Sequence, residues 1–336
     1  MVAKEDNLLL EIKDLKMYFP IRRGLLQRVV GHVKAVDGVS FRIQPGEIVG
    51  LAGESGCGKS VTTQCILRLL PAPGRIVSGD IRLDGESLLT LPREEMRRIR
   101  GKRIAVILQD ALAALNPVLP TGEQVADVYS AHNSVTPEKA WTRAVEAMRD
   151  VGIPRPEMRA KQFPHEFSGG MQQRTVIAAA LTCGPELIIA DEPTTALDVT
   201  IQMQILNLLK EAQAMLGSSI LYISHDLANV ARICERVMIM YAGEIVESAS
   251  TRDLYREPLH PYTQGLLGCI PAMGGSGQEY LYTIPGMPPH PAHYPPGCRF
   301  APRCPRVQDQ CQTERPPLLE VRDRQVRCVL YRDEGL

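Results

Sequence analysis

The stretch from Gly53 to Ser60 constrains this chain most, because it fits the phosphate-loop pattern of a glycine, four residues and then Gly-Lys-Ser. Its members are Gly53, Glu54, Ser55, Gly56, Cys57, Gly58, Lys59 and Ser60. Residues 47–52 read as a short buried strand and residues 60–70 as the helix that the loop opens. In such a loop the backbone amides attract phosphate, Lys59 reaches the β- and γ-phosphates, and the Ser60 hydroxyl ligates Mg²⁺. A glycine-rich turn is the alternative, but the flanking strand and helix favour a site for a nucleoside triphosphate.

A second acidic element lies further along the chain. Residues 187–190 read Leu-Ile-Ile-Ala, which predicts a buried strand that ends at Asp191. Asp191 would hold Mg²⁺ or its water, and Glu192 would orient or deprotonate the attacking water. A solvated strand end is the alternative for this Asp-Glu-Pro segment. Together with the phosphate loop, however, it supplies both halves of a phosphoryl-transfer site.

Length and charge limit the number of domains and the classes of partner that the chain can have. A chain of 336 residues exceeds one ordinary core and predicts about two domains, with room for a third small module. Lys plus Arg equals Asp plus Glu at 38 each, so charge favours neither nucleic acid nor an anionic membrane as the main partner. No uncharged apolar run approaches the ~18 residues of a membrane span, and the first residues carry acids, so we expect a soluble, unexported chain.

Hydrophobic periodicity predicts a mixed α/β organisation. Alternation over residues 8–19 and 33–43 predicts half-buried antiparallel strands, and Asp84-Gly85 predicts a turn that closes a further strand. Residues 110–166 have a helical pattern and predict an inserted helical lobe. Helices predicted at 168–181 and 199–216 alternate with strands at 187–190 and 219–223, so the main sheet should be mostly parallel.

The composition changes after Tyr255. Ten prolines fall between Pro258 and Pro302, with Gly-Gly-Ser-Gly at 274–277, which predicts an extended linker or wrapping segment. Residues 298–336 carry eight arginines, no lysine and four of the nine cysteines. Thiols of an unexported chain stay reduced, so clustered cysteines point to a metal rather than to disulfides.

Residues 167–174 read Phe-Ser-Gly-Gly-Met-Gln-Gln-Arg, and with the two motifs above they resemble the ATP-binding-cassette (ABC) ATPases. Ser168, Gly169 and Gly170 at a helix N-terminus form a second phosphate cradle. In that family the cradle contacts the ATP held by the phosphate loop of the opposite subunit. The resemblance therefore implies that two cassettes sandwich two nucleotides, the partner being a second copy or a paralogue.

The resemblance also implies roles for single residues, which occur in the family's order. It assigns Glu192, His225 and Gln109 to catalysis, Gln109 being the Q-loop glutamine and His225 the switch histidine. Ser60, Gln109 and Asp191 are the implied Mg²⁺ ligands, and Asp198 in Ala196-Leu197-Asp198 is the implied D-loop aspartate. Phe19 takes the place of the aromatic that stacks on adenine, with Tyr18 as the alternative. Taken singly, each residue could instead be structural.

The fold implied is α/β, the P-loop NTPase cassette of ABC proteins. It has a RecA-like mixed sheet core, an antiparallel β subdomain and a helical subdomain, to which this chain adds a small Cys-rich C-terminal region. We expect a nucleotide-binding domain over 1–255, with its helical subdomain at about 110–185, a Pro-rich linker over 256–297 and a C-terminal module over 298–336.

The resemblance extends to the ATPases of peptide and nickel importers. It rests on Leu-Asn-Pro at 115–117, Leu-His-Pro-Tyr-Thr-Gln at 259–264, Ile-Pro-Gly at 284–286 and Gly-Cys-Arg-Phe at 297–300. The implied partners are a second ABC ATPase subunit, two membrane permease subunits and, through them, an extracytoplasmic solute-binding protein, with no nucleic acid. The implied location is peripheral, on the cytoplasmic face of the inner membrane. A soluble ABC ATPase that acts on ribosomes, DNA or iron–sulfur assembly is the competing class.

Cys298, Cys304, Cys311 and Cys328 form the cysteine cluster of the C-terminal region. Four thiolates suit a tetrahedral Zn²⁺ or an iron–sulfur cluster. The close ligand pairs typical of structural zinc are missing from their spacing, and Cys304-Pro305 is similar to ferredoxin-type ligation, which favours iron–sulfur. Some importer ATPases of this resemblance carry a [4Fe–4S] cluster in this region. We therefore expect a structural [4Fe–4S] cluster, with Zn²⁺ and scattered reduced cysteines as alternatives.

Overall fold

The computed structural model describes residues 8–195, 197–270 and 282–333. Its strands are β1 (Leu10–Arg23), β2 (Arg28–Ile43), β3 (Ile48–Ala52), β4 (Arg75–Leu83), β5 (Glu86–Ser87), β6 (Ile104–Ile107), β7 (Leu187–Asp191), β8 (Ser219–Ser224), β9 (Arg236–Tyr241), β10 (Glu244–Ser250), β11 (Leu319–Val321) and β12 (Arg324–Val326). The Gly-Gly-Ser-Gly stretch at 274–277 and Ala196 lie outside the described residues.

The helices follow the same chain order. They are α1 (Lys59–Leu67), α2 (Arg93–Ile99), α3 (Ala111–Ala114), α4 (Thr121–His132), α5 (Pro137–Asp150), α6 (Pro156–Arg159), α7 (Gly169–Leu181), α8 (Val199–Leu216), α9 (Leu227–Ile233), α10 (Thr251–Arg256), α11 (Pro261–Gly268) and α12 (Asp309–Thr313). Short 3-10 turns lie at Pro164–Glu166, Ala301–Arg303 and Val329–Tyr331. No helix within the described residues is long and apolar enough to cross a lipid bilayer.

The chain divides into two compact units. Unit 1 is formed chiefly by Ile43–Ile48 and Thr90–Ile223. Its sheet places β7 between β6 and β8, and both pairings are parallel. The helices α3 to α7 form the predicted helical lobe, in which α7 packs against α3, α4 and α5. The strand β7 is buried from Leu187 to Ala190, as its unbroken apolar run predicts for a parallel strand covered on both faces.

Unit 2 is formed by Leu10–Arg42, Val49–Leu89 and the residues from Ser224 onwards. It contains the predicted antiparallel sheet, in the order β2-β1-β4-β5. The predicted Asp-Gly turn closes β4 and β5, and both of its residues have positive φ, 48° at Asp84 and 78° at Gly85. A second sheet pairs β3 with β9 in parallel and β9 with β10 in antiparallel. The prediction of a mixed sheet core with an antiparallel β subdomain is confirmed.

The C-terminal region adds strands of its own to that second sheet. The strand β12 pairs antiparallel with β10, Glu247 lying opposite Val326, and β11 pairs with β12. The predicted linker also contains a regular helix, α11, whose Tyr262 is fully buried. Proline is compatible with this helix, because at the first turn of α11 it removes only an amide that has no partner inside the helix.

Candidate nucleotide-binding site

The phosphate loop follows β3 and opens α1, as predicted. A Cβ on Gly53 would lie 2.1 Å from the carbonyl oxygen of Met240, and one on Gly58 would lie 2.4 Å from that of Ala35. Both glycines also have positive φ, so no other residue fits these two positions. Gly58 is the N-cap of α1 and has no side chain with which to cap it. The first amides of the helix are therefore open to an anion.

Lys59 is held across this loop. Its side chain is buried, and Nζ donates to the carbonyl oxygens of Gly53 at 2.8 Å and Glu54 at 3.0 Å. Ser55, Gly56 and Ser60 are exposed. The ammonium group therefore lies against the loop backbone, and the exposed side of the loop is open to solvent. This is the arrangement that binding of a triphosphate requires.

Three of the predicted residues in unit 1 share one edge of its sheet. In register, Ile107 of β6 lies opposite Ala190 of β7, and the strands are parallel, so their carboxyl ends coincide. Gln109 is exposed just beyond β6, and Asp191 and Glu192 stand at the end of β7. Ligands of open parallel sheets bind at this kind of edge.

Glu192 has an unusual backbone conformation. Its φ is +49°, in the left-handed region that a residue with a Cβ seldom occupies. Its amide donates to the carbonyl oxygen of Ile223 at 2.9 Å, and its Oε2 accepts from Thr195 Oγ1 at 3.2 Å. Backbone strain of this kind is typical of functional sites, and the hydrogen bond from Thr195 orients the carboxylate.

The proposed second cradle lies at the start of α7. Ser168 is the N-cap, and its Oγ accepts from the amide of Met171 at 3.4 Å. Ser168 and Gly169 are exposed, whereas the preceding Phe167 is buried. The apolar residue at 167 therefore anchors the turn, and the helix N-terminus faces solvent.

Asp198 lies beside this cradle. Its carboxylate caps α8 and accepts from the amide of Ile201 at 2.9 Å. A Cβ on Gly170 would lie 3.0 Å from Ile201 Cγ2. The glycines of the cradle therefore pack closely against the first turn of α8. Leu197 and Ile201, on either side of Asp198 in the sequence, thus lie against Gly169 and Gly170, and Asp198 itself has a helix-capping role.

The remaining predicted residues lie in unit 2. His225 is exposed directly after β8, and Asp226 caps the following α9. Tyr18 Oη donates to Asp37 Oδ1 at 2.5 Å, whereas Phe19 is half-buried on the neighbouring position of β1. Phe19 therefore stays the proposed aromatic for adenine and Tyr18 the alternative, since a hydrogen bond from the Tyr18 hydroxyl leaves the faces of its ring available for stacking.

The four C-terminal cysteines line one small cavity together with His260 and Phe300. Burial raises the pKa of the Cys298 thiol to about 11 and that of Cys328 to about 12. Burial also raises the pKa of Cys304. Within the described residues, however, no three Cys, His, Asp or Glu side chains are placed so that they could hold a metal ion. The predicted gathering of the four cysteines is thus present, but the metal site expected from them is not shown.

The side chains of Arg303 and Tyr262 contact the phosphate loop and were not predicted as site residues. The guanidinium of Arg303 binds the carboxylate of Glu54, and Tyr262 Oη accepts from the amide of Glu54. The excess of arginine over lysine in residues 298–336 was the available signal, because arginine is preferred for buried, two-pronged pairing with carboxylates.

Comparison with known proteins agrees with this geometry. A family model described as "ABC transporter" matches residues 36–195, and one described as "Oligopeptide/dipeptide transporter, C-terminal region" matches residues 246–311. The chain is 47% identical to the oligopeptide transport ATP-binding protein AppD of Bacillus subtilis, over 97% of this chain and 98% of the relative. It is 42% identical to the oligopeptide transport ATP-binding protein OppD of Escherichia coli, over 95% and 92% of the two chains.

A solved structure has the same cassette. The dimeric ATP-binding cassette MJ0796, bound to ADP and Pi, matches with a TM-score of 0.63 and 28% identity, over 72% of this chain and 99% of that one. The fold and site define a P-loop ATPase cassette. The chain belongs to the ABC transporter family, as an ATP-binding subunit that carries the C-terminal region of oligopeptide and dipeptide transporters.

Proposed function

We propose that this chain hydrolyses ATP to drive the import of peptides or a related small solute. The observation that carries the proposal is that one chain matches both the ABC transporter family model and the model of the oligopeptide/dipeptide transporter C-terminal region. Relatives at 42–47% identity are named oligopeptide transport ATP-binding proteins. The competing role, a soluble ATPase acting on ribosomes, DNA or iron–sulfur assembly, has no comparable support.

The chemistry follows from the chain's own groups. The loop amides and Lys59 bind the phosphates, and Glu192, held in its strained conformation, orients or deprotonates the attacking water. His225 and Gln109 complete the catalytic set. Bound Mg²⁺, held by Ser60, Asp191 and Gln109, would neutralise charge on the phosphates. The donor set suits this ion, since hydroxyl, amide and carboxylate oxygens are the ligands that Mg²⁺ prefers.

Turnover requires a second cassette. The cradle formed by Ser168, Gly169 and Gly170 would contact the nucleotide of the opposite subunit, with Asp198 beside it. Closure driven by ATP, and reopening after hydrolysis, would pass to two permease subunits through the region near Gln109 and the helical lobe. The chain would then be peripheral, on the cytoplasmic face of the inner membrane, and its cargo would be delivered by an extracytoplasmic solute-binding protein.

Membrane fractionation of cells that express the chain tests this role. We expect the chain to sediment with membranes and to co-purify with permease subunits after mild detergent extraction. High salt is the control for non-specific adsorption, since weak surface charge contacts are screened. A chain that stays wholly in the soluble fraction, or co-purifies with ribosomes, would overturn the importer role.

We also propose that the four clustered cysteines hold a structural [4Fe–4S] cluster, with Zn²⁺ as the alternative. The support is their common cavity and a donor set of four thiols, which deprotonate when they bind a metal. Anaerobically purified protein should be brown, and Cys304→Ser should remove the colour while ATP binding at Lys59 persists. Cys269→Ser is the matched control, because Cys269 lies outside this cavity. Stoichiometric zinc would favour the alternative, and absence of both metals would leave reduced cysteines.

A further inference from the structure

The phosphate loop contains an acid that ought to oppose its function. Glu54 directly follows Gly53, and its side chain is 27% exposed. A carboxylate in an anion-binding loop repels a triphosphate, and the repulsion is stronger near a protein surface than in bulk water. Something in the chain must therefore compensate for this charge.

Arg303 supplies the positive charge that compensates for Glu54. Its Nη1 lies 2.7 Å from Glu54 Oε2 and its Nη2 lies 2.9 Å from Glu54 Oε1, which is a two-pronged pairing. The Arg303 side chain is only 4% exposed. Its Nε donates to the carbonyl oxygen of Pro285 at 3.0 Å, so a second hydrogen-bond partner also holds the guanidinium in place.

Tyr262 holds the same loop residue by its backbone. Its hydroxyl oxygen accepts from the amide of Glu54 at 2.9 Å, and its ring is fully buried. The ring packs against Tyr241, with centroids 4.5 Å apart, and against Phe300, with centroids 5.4 Å apart. The hydroxyl is therefore presented by a rigid aromatic cluster, in which Phe300 belongs to the C-terminal region.

We propose that Arg303 and Tyr262 are positioning residues of the nucleotide site, through which the C-terminal region and the preceding helix α11 set the affinity for nucleoside triphosphates. Arg303 cancels the charge of Glu54 and orients its side chain, and Tyr262 fixes the backbone of the loop. The C-terminal region thereby becomes part of the ATP site. The inference rests on the ATP site of the proposed function and deepens it.

A double-mutant cycle tests the charge compensation. The dissociation constants of ATP, ADP and AMP are measured for the parent, Arg303→Gln, Glu54→Gln and the double variant. We expect Arg303→Gln to weaken ATP binding roughly tenfold, and to weaken AMP binding less, because the repulsion grows with phosphate charge. Glu54→Gln should bind ATP more tightly than the parent, because it removes the repelling charge and leaves the Arg303 guanidinium uncancelled, and the double variant should recover most of the lost affinity.

Arg322→Gln is the matched control, since it removes one arginine charge from an exposed pair with Glu257 in the same region. Its ATP affinity should equal that of the parent. Tyr262→Phe keeps the ring but removes the acceptor, and should weaken ATP, ADP and AMP alike. If Arg303→Gln fails to fold, the ATP dissociation constants of Glu54→Gln and Tyr262→Phe still test the proposal.

The outcomes separate this inference from the proposed function. A parent that does not bind ATP overturns both. A parent that binds ATP while Arg303→Gln binds it equally well overturns the compensation by Arg303. A double variant no better than Arg303→Gln, or a Glu54→Gln variant that binds ATP no more tightly than the parent, reduces the pair to a structural contact and also overturns the inference.

Discussion

Arg299 Nε lies 2.9 Å from Glu244 Oε1, and both side chains are buried. The same guanidinium pairs with Asp37, and Arg315 also pairs with Glu244, so arginines of the C-terminal region balance two acids of the cassette interior. Burial alone would raise the pKa of Asp37, but the Tyr18 hydroxyl and the guanidinium groups of Arg299 and Arg315 outweigh it and hold the pKa below its ordinary value. The C-terminal region is therefore tied to the cassette by charge as well as by strand pairing.

Replacing Arg299 with Met tests this tie. The change leaves Asp37 and Glu244 buried with less compensation, so the free energy of unfolding should fall by about 3–5 kcal/mol. Denaturant unfolding at neutral pH measures the effect, and Arg322→Met is the surface control. A loss below about 1 kcal/mol would mean that the pair is solvated in solution.

A change of Lys59 to Ala should weaken ATP binding roughly tenfold or more, because the charge-assisted bonds of the ammonium group to the phosphates are lost. Equilibrium binding of a fluorescent ATP analogue measures the loss. Lys161→Ala removes an exposed lysine and is the control. Unchanged affinity in Lys59→Ala would contradict the placement of the phosphates in this loop.

Ser168→Arg should place bulk and charge in the second cradle without touching the phosphate loop. ATP affinity should stay near that of the parent, while hydrolysis falls roughly 100-fold because the cradle no longer contacts the phosphates during turnover. If the chain forms a homodimer, mixing this variant with Lys59→Ala restores at most one composite site per dimer. Full hydrolysis by Ser168→Arg alone would refute a role for the cradle across the dimer.

Acid should destabilise the fold through His260. This residue is 1% exposed, and burial lowers the pKa of its imidazole to about 3. The unfolded chain binds a proton near pH 6.5 but the folded chain does not, so the free energy of unfolding decreases as the pH falls from about 6.5 towards 3.

Stability of the parent and of His260→Asn, measured at about pH 7 and about pH 5, isolates this contribution. Asparagine can still accept from the amide of Tyr262, as His260 Nδ1 does at 3.0 Å, but it does not titrate. The variant should therefore lose less stability than the parent over this interval. The exposed His165→Asn is the control, and identical pH dependence in parent and His260→Asn would contradict a neutral buried imidazole.

The features predicted best from the sequence are those that neighbouring residues determine, such as helix boundaries. The helix α8 matches its prediction to the residue, because Asp198 caps its start and Gly217 ends it with a left-handed φ of 67°. The helix after the phosphate loop ends at Leu67 rather than at the predicted residue 70, since Arg68 is left-handed, and Pro71 also disfavours a helical conformation at Leu70.

Contacts between residues that are far apart in the chain could not be predicted in this way. Arg303 and Glu54 are separated by 249 positions, and neither residue type reveals its partner. The strand β12 spans only Arg324–Val326, too short to produce an alternating pattern, yet it extends the sheet beside β10. The domain boundaries inferred from composition stay predictions.

Glu192→Gln should leave ATP binding intact and lower hydrolysis about 100-fold or more, because the carboxylate that activates water is lost while the phosphate contacts remain. Phosphate release by the purified variant measures this effect. Glu211→Gln, an exposed position on α8, is the matched control. Near-parental turnover would remove Glu192 from its catalytic role.

The most direct test of the whole account is uptake of labelled short peptides by cells in which Glu192→Gln replaces the parent chain at equal abundance. Hydrolysis at Glu192 is proposed to power import, so uptake should fall to the level of cells that lack the chain, while cells carrying Glu211→Gln take up peptide at the parental rate. Parental peptide uptake in the Glu192→Gln cells would contradict the account.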